Sequence, residues 1–405
     1  MTRTAIRMWA PLAITTLLAV SPARAQKAYG PGVSDTEIKL GQSTPLSGPA
    51  SAFGAGAGRA VVGYFEMLNA QGGVNGRKIN FTQLDNAYGA PKAVEQSRRL
   101  VEDVGVLAEI GTIGTAPNVA IQKYLNSKQV PQLFITAGGR RFNAPKTFPW
   151  TVPLYPDFET EGRIVAKYIL KVRPDAKIGV FYQNDDFGKD YVKGLRAGLG
   201  ANKASQIIAE ASYELADPTI DTQIVQLKAA GIDTLIEQSA AKAAAQSIRK
   251  VHELNWSPLH IIGASSASVE TVLKPAGLEA SKGLVTTQFL KQPGDPAWAN
   301  DEEVKAYKDF LKTYAPAANP DDYSVLVAYM NVHAVTLALK KCGDQLTREN
   351  LIHQATSLDG ERMPLMLPGI TISTKPDDYT PFRTLRIATF DGTSWTLSGD
   401  PISAE

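Results

Sequence analysis

Short apolar runs alternate with longer amphipathic segments in the first part of the chain. Runs rich in β-branched and aromatic residues predict strands. These runs lie at 38–42, 78–84, 106–110 and 132–136. Between them, apolar residues recur every three or four positions and predict helices. The first of these places Val61, Phe65 and Leu68 on one face, and others lie at 91–104 and 117–127. This alternation indicates a parallel sheet covered by helices on both faces.

The same alternation restarts after Pro153. Helices are predicted at 157–172, 187–199, 219–230 and 240–254. Strands are predicted at 177–182, 205–213, 233–238 and 259–262. Two series of the same kind predict an α/β protein with two Rossmann-like lobes, each built on a parallel sheet.

The last part of the chain departs from this alternation. It predicts helices at 304–313 and 323–340, and β segments at 369–373, 384–390 and 393–397. Asp391-Gly392 separates the last two segments and is typical of a hairpin turn.

The N-terminus carries the pattern of an export signal. Arg3 and Arg7 precede an uncharged apolar run at 8–20, and the small residues Ala23 and Ala25 flank Arg24. Such a pattern predicts a signal peptide at 1–25, cleaved on export to the periplasm. The apolar run is too short to cross a bilayer as a helix.

Composition narrows the choice of function. The whole chain has 42 Lys+Arg and 40 Asp+Glu, and the predicted leader holds three Arg and no acid. The mature chain is therefore close to neutral, and no basic patch predicts nucleic-acid binding. Its length predicts two domains. Cys342 is the single cysteine, which excludes an internal disulfide and Cys-rich metal sites, and its neighbours suggest a solvated helix end.

Enzyme signatures are mostly absent. The sequence has no GxSxG, GxxxxGK[ST] or HExxH motif. The four histidines are scattered, so we expect no metal site and no cofactor. Asp185-Asp186 follows a predicted strand, and we interpret it as a helix cap rather than as an acid/base pair.

Candidate binding residues follow the carboxyl ends of predicted strands, where open parallel sheets bind ligands. One glycine-rich loop runs over 43–58 and includes Phe53. A second, at 111–116, offers hydroxyls and amides, and a third, at 136–141, brings Gly138-Gly139 close to Arg140 and Arg141. Together they predict a cradle for a carboxylate in the first lobe.

Several motifs resemble the leucine/isoleucine/valine-binding protein family, the periplasmic solute-binding components of ABC importers. They occur in the family's order over nearly the whole mature chain. They are Ile38-Lys39-Leu40-Gly41, Ser47-Gly48-Pro49, Phe53-Gly54, Gly72-Gly73-Val74-Asn75-Gly76-Arg77, Asp85-Asn86-Ala87-Tyr88 and Asp185-Asp186-Phe187-Gly188. The resemblance implies a type I fold whose two lobes are joined by three crossovers and close over the ligand by hinge bending.

The resemblance also implies boundaries, partners and site residues. Lobe one would comprise 36–153 and 286–358, and lobe two 154–285 and 359–398. The partners would be a small solute and ABC permease subunits in the inner membrane, with the protein itself a monomer. By position, the ligand would be held by Phe53, Gly114, Thr115, Ala137, Gly138, Gly139, Phe187, Gln238, Ser239 and Ser265.

Two departures from the family pattern leave the ligand open. Amino-acid binders usually place an acid after the last strand of lobe two, but here 263–266 reads Gly-Ala-Ser-Ser. Asp185, Asp186 or Glu237 would have to compensate. Arg140 replaces a small hydroxyl residue, and if it points inward it favours an anion; Tyr88 and Tyr155 add aromatic walls. Amino acids and non-amino organic or aromatic acids are therefore equal candidates.

Two other functions fit the same scaffold. A sensory module that reports a solute to a membrane receptor would have the same sequence features. An exported enzyme would need a nucleophile–base pair or a metal cluster in the cleft, and the sequence offers neither.

Overall fold

The apolar runs form two separate sheets. The computed structural model describes residues 1–2, 27–48 and 50–405. The strands, in chain order, are β1 Ala28–Tyr29, β2 Glu37–Thr44, β3 Lys78–Asp85, β4 Ala108–Ile110, β5 Gln132–Ile135, β6 Thr151–Pro153, β7 Ile178–Gln183, β8 Ile207–Tyr213, β9 Thr234–Gln238, β10 Leu259–Ile262, β11 Val285–Gln288, β12 Gln345–Leu346, β13 Thr384–Phe390 and β14 Trp395–Ser403.

Helices cover both sheets. They are α1 Ser51–Ala70, α2 Ala90–Arg98, α3 Thr115–Ser127, α4 Phe158–Val172, α5 Asp186–Leu199, α6 Asp221–Ala229, α7 Ala241–Glu253, α8 Lys274–Ala276, α9 Leu278–Ser281, α10 Glu302–Tyr314, α11 Tyr323–Cys342 and α12 Arg348–Ala355. Most begin within two residues of the position that the sequence predicts.

The first lobe is built on a five-stranded parallel sheet in the order β3-β2-β4-β5-β6. Four of its five strands are the apolar runs predicted before residue 154, whereas the sequence did not predict β6. Helix α11 packs against α1 and β5. The carboxyl ends of β2, β4 and β5 therefore lie side by side, which places their following loops at one edge of the sheet.

The second lobe is built on a seven-stranded sheet in the order β14-β13-β11-β10-β9-β7-β8. Strands β7 to β11 are parallel, whereas β13 and β14 are antiparallel and form the predicted hairpin. Strand β11 stays in this sheet up to Gln288, two residues beyond the start of the segment that the sequence assigned to lobe one.

The chain passes between the lobes three times: after β6, after β11 and after α12. Lys291, on the second passage, is buried, and its Nζ lies 2.6 Å from Asp301 Oδ2 and 2.9 Å from Glu303 Oε2. Glu303 also pairs with Arg362 on the third passage. One ion network thus ties two of the three connections to α10.

Three sequence-based expectations are wrong in detail. The loop predicted over 43–58 ends early, because α1 begins at Ser51. A Cβ on Gly54 would lie 2.2 Å from the Pro45 carbonyl oxygen, so this glycine serves helix packing. The segment 369–373 forms no strand and only a single bridge, between Ile372 and Glu361. Cys342 is buried at the end of α11, and its burial raises the pKa of the thiol to about 12.

The predicted signal peptide at 1–25 lies almost entirely outside the described residues. Among the residues that are described, no helix combines the length and apolarity needed to span a bilayer.

Candidate functional site

A cavity lies in the cleft between the two sheets. Residues from both lobes and from the passages between them line it. They are Ala52, Phe53, Tyr88, Ile113, Gly114, Thr115, Thr136, Ala137, Tyr155, Phe158, Gln183, Phe187, Ala240, Ser265, Ser268, Thr271, Asp322, Tyr323, Ser324 and Val327. Its largely apolar walls are typical of a small-molecule site.

The cavity brings together eight of the thirteen residues predicted from the sequence. These are Phe53, Tyr88, Gly114, Thr115, Ala137, Tyr155, Phe187 and Ser265. The other five lie outside it: Gly138, Gly139, Arg140, Gln238 and Ser239.

Gly114 and Tyr88 form one wall of the cavity in the first lobe. Tyr88 has a φ of 62°, a strained value for a residue with a side chain, and its amide donates to Asn86 Oδ1 at 2.8 Å. This turn aims the ring at Gly114, where a Cβ would lie 2.2 Å from Tyr88 Cε2. Gly114 has a φ of 100°, so both its conformation and its space require glycine.

A buried carboxyl group holds the loop behind this wall. Glu109 lies on β4, and its Oε1 accepts hydrogen bonds from Ser97 Oγ and Thr112 Oγ1, both at 3.1 Å. Burial raises the pKa of Glu109 from 4.5 to about 7. The loop that carries Gly114 and Thr115 is therefore anchored to a carboxyl group that is partly protonated at neutral pH.

The two predicted glycines 138 and 139 serve packing. A Cβ on Gly138 would lie 2.1 Å from the Pro156 carbonyl oxygen, and the Gly138 carbonyl accepts from the Phe158 amide at 2.8 Å. A Cβ on Gly139 would approach Phe142 and Thr115 within 3.3 Å. Both glycines thus let the loop lie against its neighbours, Gly138 against the first passage between the lobes.

Arg140 points away from the cavity, contrary to the inward orientation considered above. Its Nη1 lies 3.6 Å from Asp157 Oδ2, a buried carboxylate on the first passage. Its backbone N–H donates to Asp190 Oδ2 on α5 at 2.7 Å, and Arg141 Nη1 lies 3.3 Å from Asp186 Oδ2. The Arg140-Arg141 turn therefore makes cross-lobe contacts at the rim.

The second lobe contributes Phe187, Ser265 and the start of α7. The ring of Phe187 meets that of Phe158 edge-on, with centroids 5.1 Å apart. Gln238 lies behind the wall, where a Cβ on Gly263 would come 1.8 Å from its Oε1. Ser239 Oγ donates to Glu237 Oε1 and does not reach the cavity.

None of the three acids that the sequence offered as partners for an ammonium group reaches the cavity. Asp185 caps α5, as predicted, through the Phe187 amide at 3.0 Å. Asp186 pairs with Arg141. Glu237 is buried, and its Oε2 lies 3.0 Å from His260 Nε2. In the described part of the chain, no group of three or more His, Cys, Asp or Glu residues could hold a metal ion.

Residues 37–394 match the family described as periplasmic binding protein. The chain belongs to the periplasmic binding protein family. A curated relative, the Leu/Ile/Val-binding protein homolog 7 of Brucella suis biovar 1 (strain 1330), is 26% identical over 336 residues, which are 80% of this chain and 82% of that protein. This confirms the family resemblance.

Solved structures share the fold. A branched chain amino acid ABC transporter protein from Thermus thermophilus, with bound valine, gives a TM-score of 0.79 at 17% identity and covers 92% of this chain and 97% of that one. A fatty acid ABC transporter substrate-binding protein from Thermomonospora curvata gives 0.74 at 21% identity, over 93% and 95%. The predicted two-lobe α/β fold is confirmed.

In this periplasmic binding protein, the sequence missed one wall entirely. Asp322, Tyr323, Ser324 and Val327 lie at the start of α11, about 180 residues beyond the third predicted loop. The element directly before α11 is the helix α10 and not a strand. A search based on the ends of strands therefore could not find this wall. The one available signal was Asp322 before an apolar run, which indicates a helix cap.

Proposed function

We propose that this chain captures a small carboxylate-bearing solute in the periplasm and delivers it to the permease subunits of an ABC importer. Three hydroxyl groups carry this proposal. Thr115 Oγ1, Ser265 Oγ and Tyr323 Oη are buried, line the same cavity and have no hydrogen-bond partner among the described residues. A buried unpaired polar group costs about 1–3 kcal/mol, and a hydrogen-bonding solute would offset that cost.

Two helix N-termini favour an anionic group on the solute. The N-cap residues of α3 and α7 are Gly114 and Ala240, and neither helix has a side-chain cap. Both N-cap residues line the cavity, one from each lobe. The first amides of an uncapped helix carry partial positive charge, which attracts a carboxylate without any basic side chain.

The walls favour an apolar body on the solute. Phe53, Tyr155 and Phe187 come from three separate parts of the chain and bring aromatic surface to the cavity. Relatives of the chain carry names that refer both to branched-chain amino acids and to fatty acids. Amino acids and organic or aromatic acids are thus both within the proposal.

Export and release complete the proposed cycle. The leader at 1–25 would direct the chain to the periplasm and be removed there, and the mature protein would act as a monomer. Closure of the lobes would exclude water and strengthen the polar contacts to the solute. The permease would then engage the closed form.

A thermal-shift screen tests the proposal. The protein, purified from the periplasm after expression of the full chain, is heated with amino acids, aliphatic acids, aromatic acids, amides and urea. A solute at 100 times its Kd stabilises the folded state by about 2.7 kcal/mol. We expect stabilisation by carboxylates, and about a tenfold loss of affinity in Thr115→Val, which removes one hydroxyl hydrogen bond.

Thr44→Val is the matched control. Thr44 Oγ1 is likewise buried without a partner, but it lies outside the cavity, so its loss should leave solute affinity unchanged. Stabilisation by amides or urea alone, with no response to any carboxylate, would contradict the proposed solute class.

A further inference from the structure

The wall formed by α11 contains a carboxyl group with an unused oxygen. Asp322 is 7% exposed and lines the cavity. Its Oδ1 caps α11 by accepting from the Ser324 amide at 3.0 Å and from Ser324 Oγ at 2.9 Å. Its Oδ2 makes no hydrogen bond or ion pair with any other described residue. Capping therefore accounts for one oxygen of this carboxyl group and leaves the other free.

Within the part of the chain that the structure describes, no positively charged side chain lines the cavity opposite Asp322. Among the described residues that line the cavity, Asp322 is the single acid, and lysine, arginine and histidine are absent. Burial and, to a lesser extent, the carboxylate of Glu270 raise the pKa of Asp322. A buried carboxylate without a counter-charge costs several kcal/mol, so the folded protein provides an acceptor that lacks a cation.

The rest of the cavity also suits a cation. Six aromatic side chains line it: Phe53, Tyr88, Tyr155, Phe158, Phe187 and Tyr323. The faces of aromatic rings attract a cationic group, most strongly where water is excluded. Carboxylate and rings together form the environment that a charged nitrogen on an apolar solute requires.

We propose that Asp322 binds a positively charged nitrogen of the solute, so that the solute class is an amine-bearing carboxylate. The inference rests on the proposed function for the carboxylate half. The inference places the counter-charge of the solute's nitrogen on a helix of lobe one. The family pattern described above places it in lobe two, in the loop at 263–266. That loop has no acid, and the other acids considered are held by Phe187, Arg141 and His260.

The solute would then lie with its two charges on different walls. Its carboxylate meets the uncapped starts of α3 and α7, and its nitrogen meets the start of α11, which already carries an acid as its cap. A helix N-terminus by itself repels a cation. Asp322 reverses that polarity at one of the three helix starts and so fixes the direction in which the solute binds.

Matched solute pairs test the inference by calorimetric titration. Leucine is compared with 4-methylpentanoate, and phenylalanine with 3-phenylpropionate, because each pair differs only in the amino group. Isopentylamine and 2-phenylethylamine supply the amine without the carboxylate. We expect the native protein to bind the amine-bearing acid of at least one pair 10- to 100-fold more tightly than its partner, as expected for a charged hydrogen bond.

Asp322→Asn removes the charge but keeps the cap, since asparagine caps helices as well as aspartate does. Asp322→Ser is a second variant that also retains a cap. Asp185→Asn is the matched control, because Asp185 caps α5 outside the cavity. We expect both Asp322 variants to lose the preference for the amine, and Asp185→Asn to keep it.

The possible outcomes separate the inference from the proposed function. Equal affinity for both members of each pair, or a preference that survives in both Asp322 variants, overturns the role of Asp322. Binding of amines alone, lost in Asp322→Asn, supports Asp322 and overturns the carboxylate half of the proposed function. Binding of acids alone supports the carboxylate half of the proposed function and overturns the role of Asp322. Failure of all three solute classes overturns both.

Discussion

Glu109→Gln isolates the effect of the buried carboxyl group behind the Gly114 wall. Glutamine keeps an oxygen that can accept from Ser97 and Thr112, and it cannot ionise. In the native protein, burial raises the pKa of Glu109 from 4.5 to about 7. The folded state therefore binds this proton more tightly than the unfolded state does, so this group lowers stability as pH rises from about 4.5 to about 7.

The magnitude follows from the size of the pKa change. One pKa unit corresponds to about 1.4 kcal/mol, so ionising Glu109 above pH 7 costs the native protein about 3 kcal/mol. Glu109→Gln should raise the free energy of unfolding by about that amount at pH 8, and by less than about 1 kcal/mol at pH 5. Urea unfolding curves at both pH values measure the difference.

Glu66→Gln is the control for this measurement, since Glu66 is an exposed glutamate of the same lobe. Its substitution should change stability by less than about 0.5 kcal/mol at either pH. A gain from Glu109→Gln that is the same at pH 5 and pH 8 would refute the titration argument. A loss of stability at pH 8 would mean that hydrogen bonds to the ionised form outweigh its burial.

Three other changes give sharp expectations. Gly114→Ala should abolish detectable solute binding in calorimetry, because the added methyl group meets the ring of Tyr88. Gly72→Ala is the control: Gly72 has a similar φ, a methyl group there meets no atom within 4 Å, and the variant should bind the solute normally. Lys291→Met should lower the free energy of unfolding by about 1–3 kcal/mol in urea titrations, since it removes a buried cation from two partly exposed carboxylates, one of which keeps its pair with Arg362. Arg362 holds the pKa of Glu303 at about 2. The stabilisation by this pair is therefore present above about pH 4.5, and the free energy of unfolding should fall by about 2 kcal/mol as the pH is lowered toward 2. Glu303→Gln should flatten that part of the profile of unfolding free energy against pH.

The sequence predicted most strands of the two sheets, though not β6 or β11, because the alternation that marks a strand is local. The run that forms β13 is recovered with its observed bounds, Thr384–Phe390. The segment 369–373 carries the same alternation, and Ile370 and Ile372 are buried as it implies. It has no neighbouring strand to continue a ladder, however, and alternation alone cannot reveal whether a partner exists.

The candidate site was predicted where it follows strand ends and missed where it depends on distant packing. Thr115 was found because its loop follows a predicted strand, and Ser265 was found through the family resemblance. Arg140 was misplaced because its direction depends on Asp157, a residue in a different segment whose burial the sequence does not reveal. Asp322 was missed because only the packing of α11 on α1 brings it to the cleft.

The Arg140-Arg141 turn has a consequence for how a receptor of this kind signals that it is loaded. Its contacts to Asp190 and Asp186 involve protein groups alone, so they favour closure to the same extent with or without a solute. An empty receptor that closed would compete with loaded ones for the permease and could set off transport cycles that carry nothing. The Arg141–Asp186 pair is 41% and 49% exposed, where an ion pair contributes at most about 1 kcal/mol. Under the proposed function, such a weak attraction at the rim would leave few empty receptors closed, so that the permease would respond to the solute that fills the cavity.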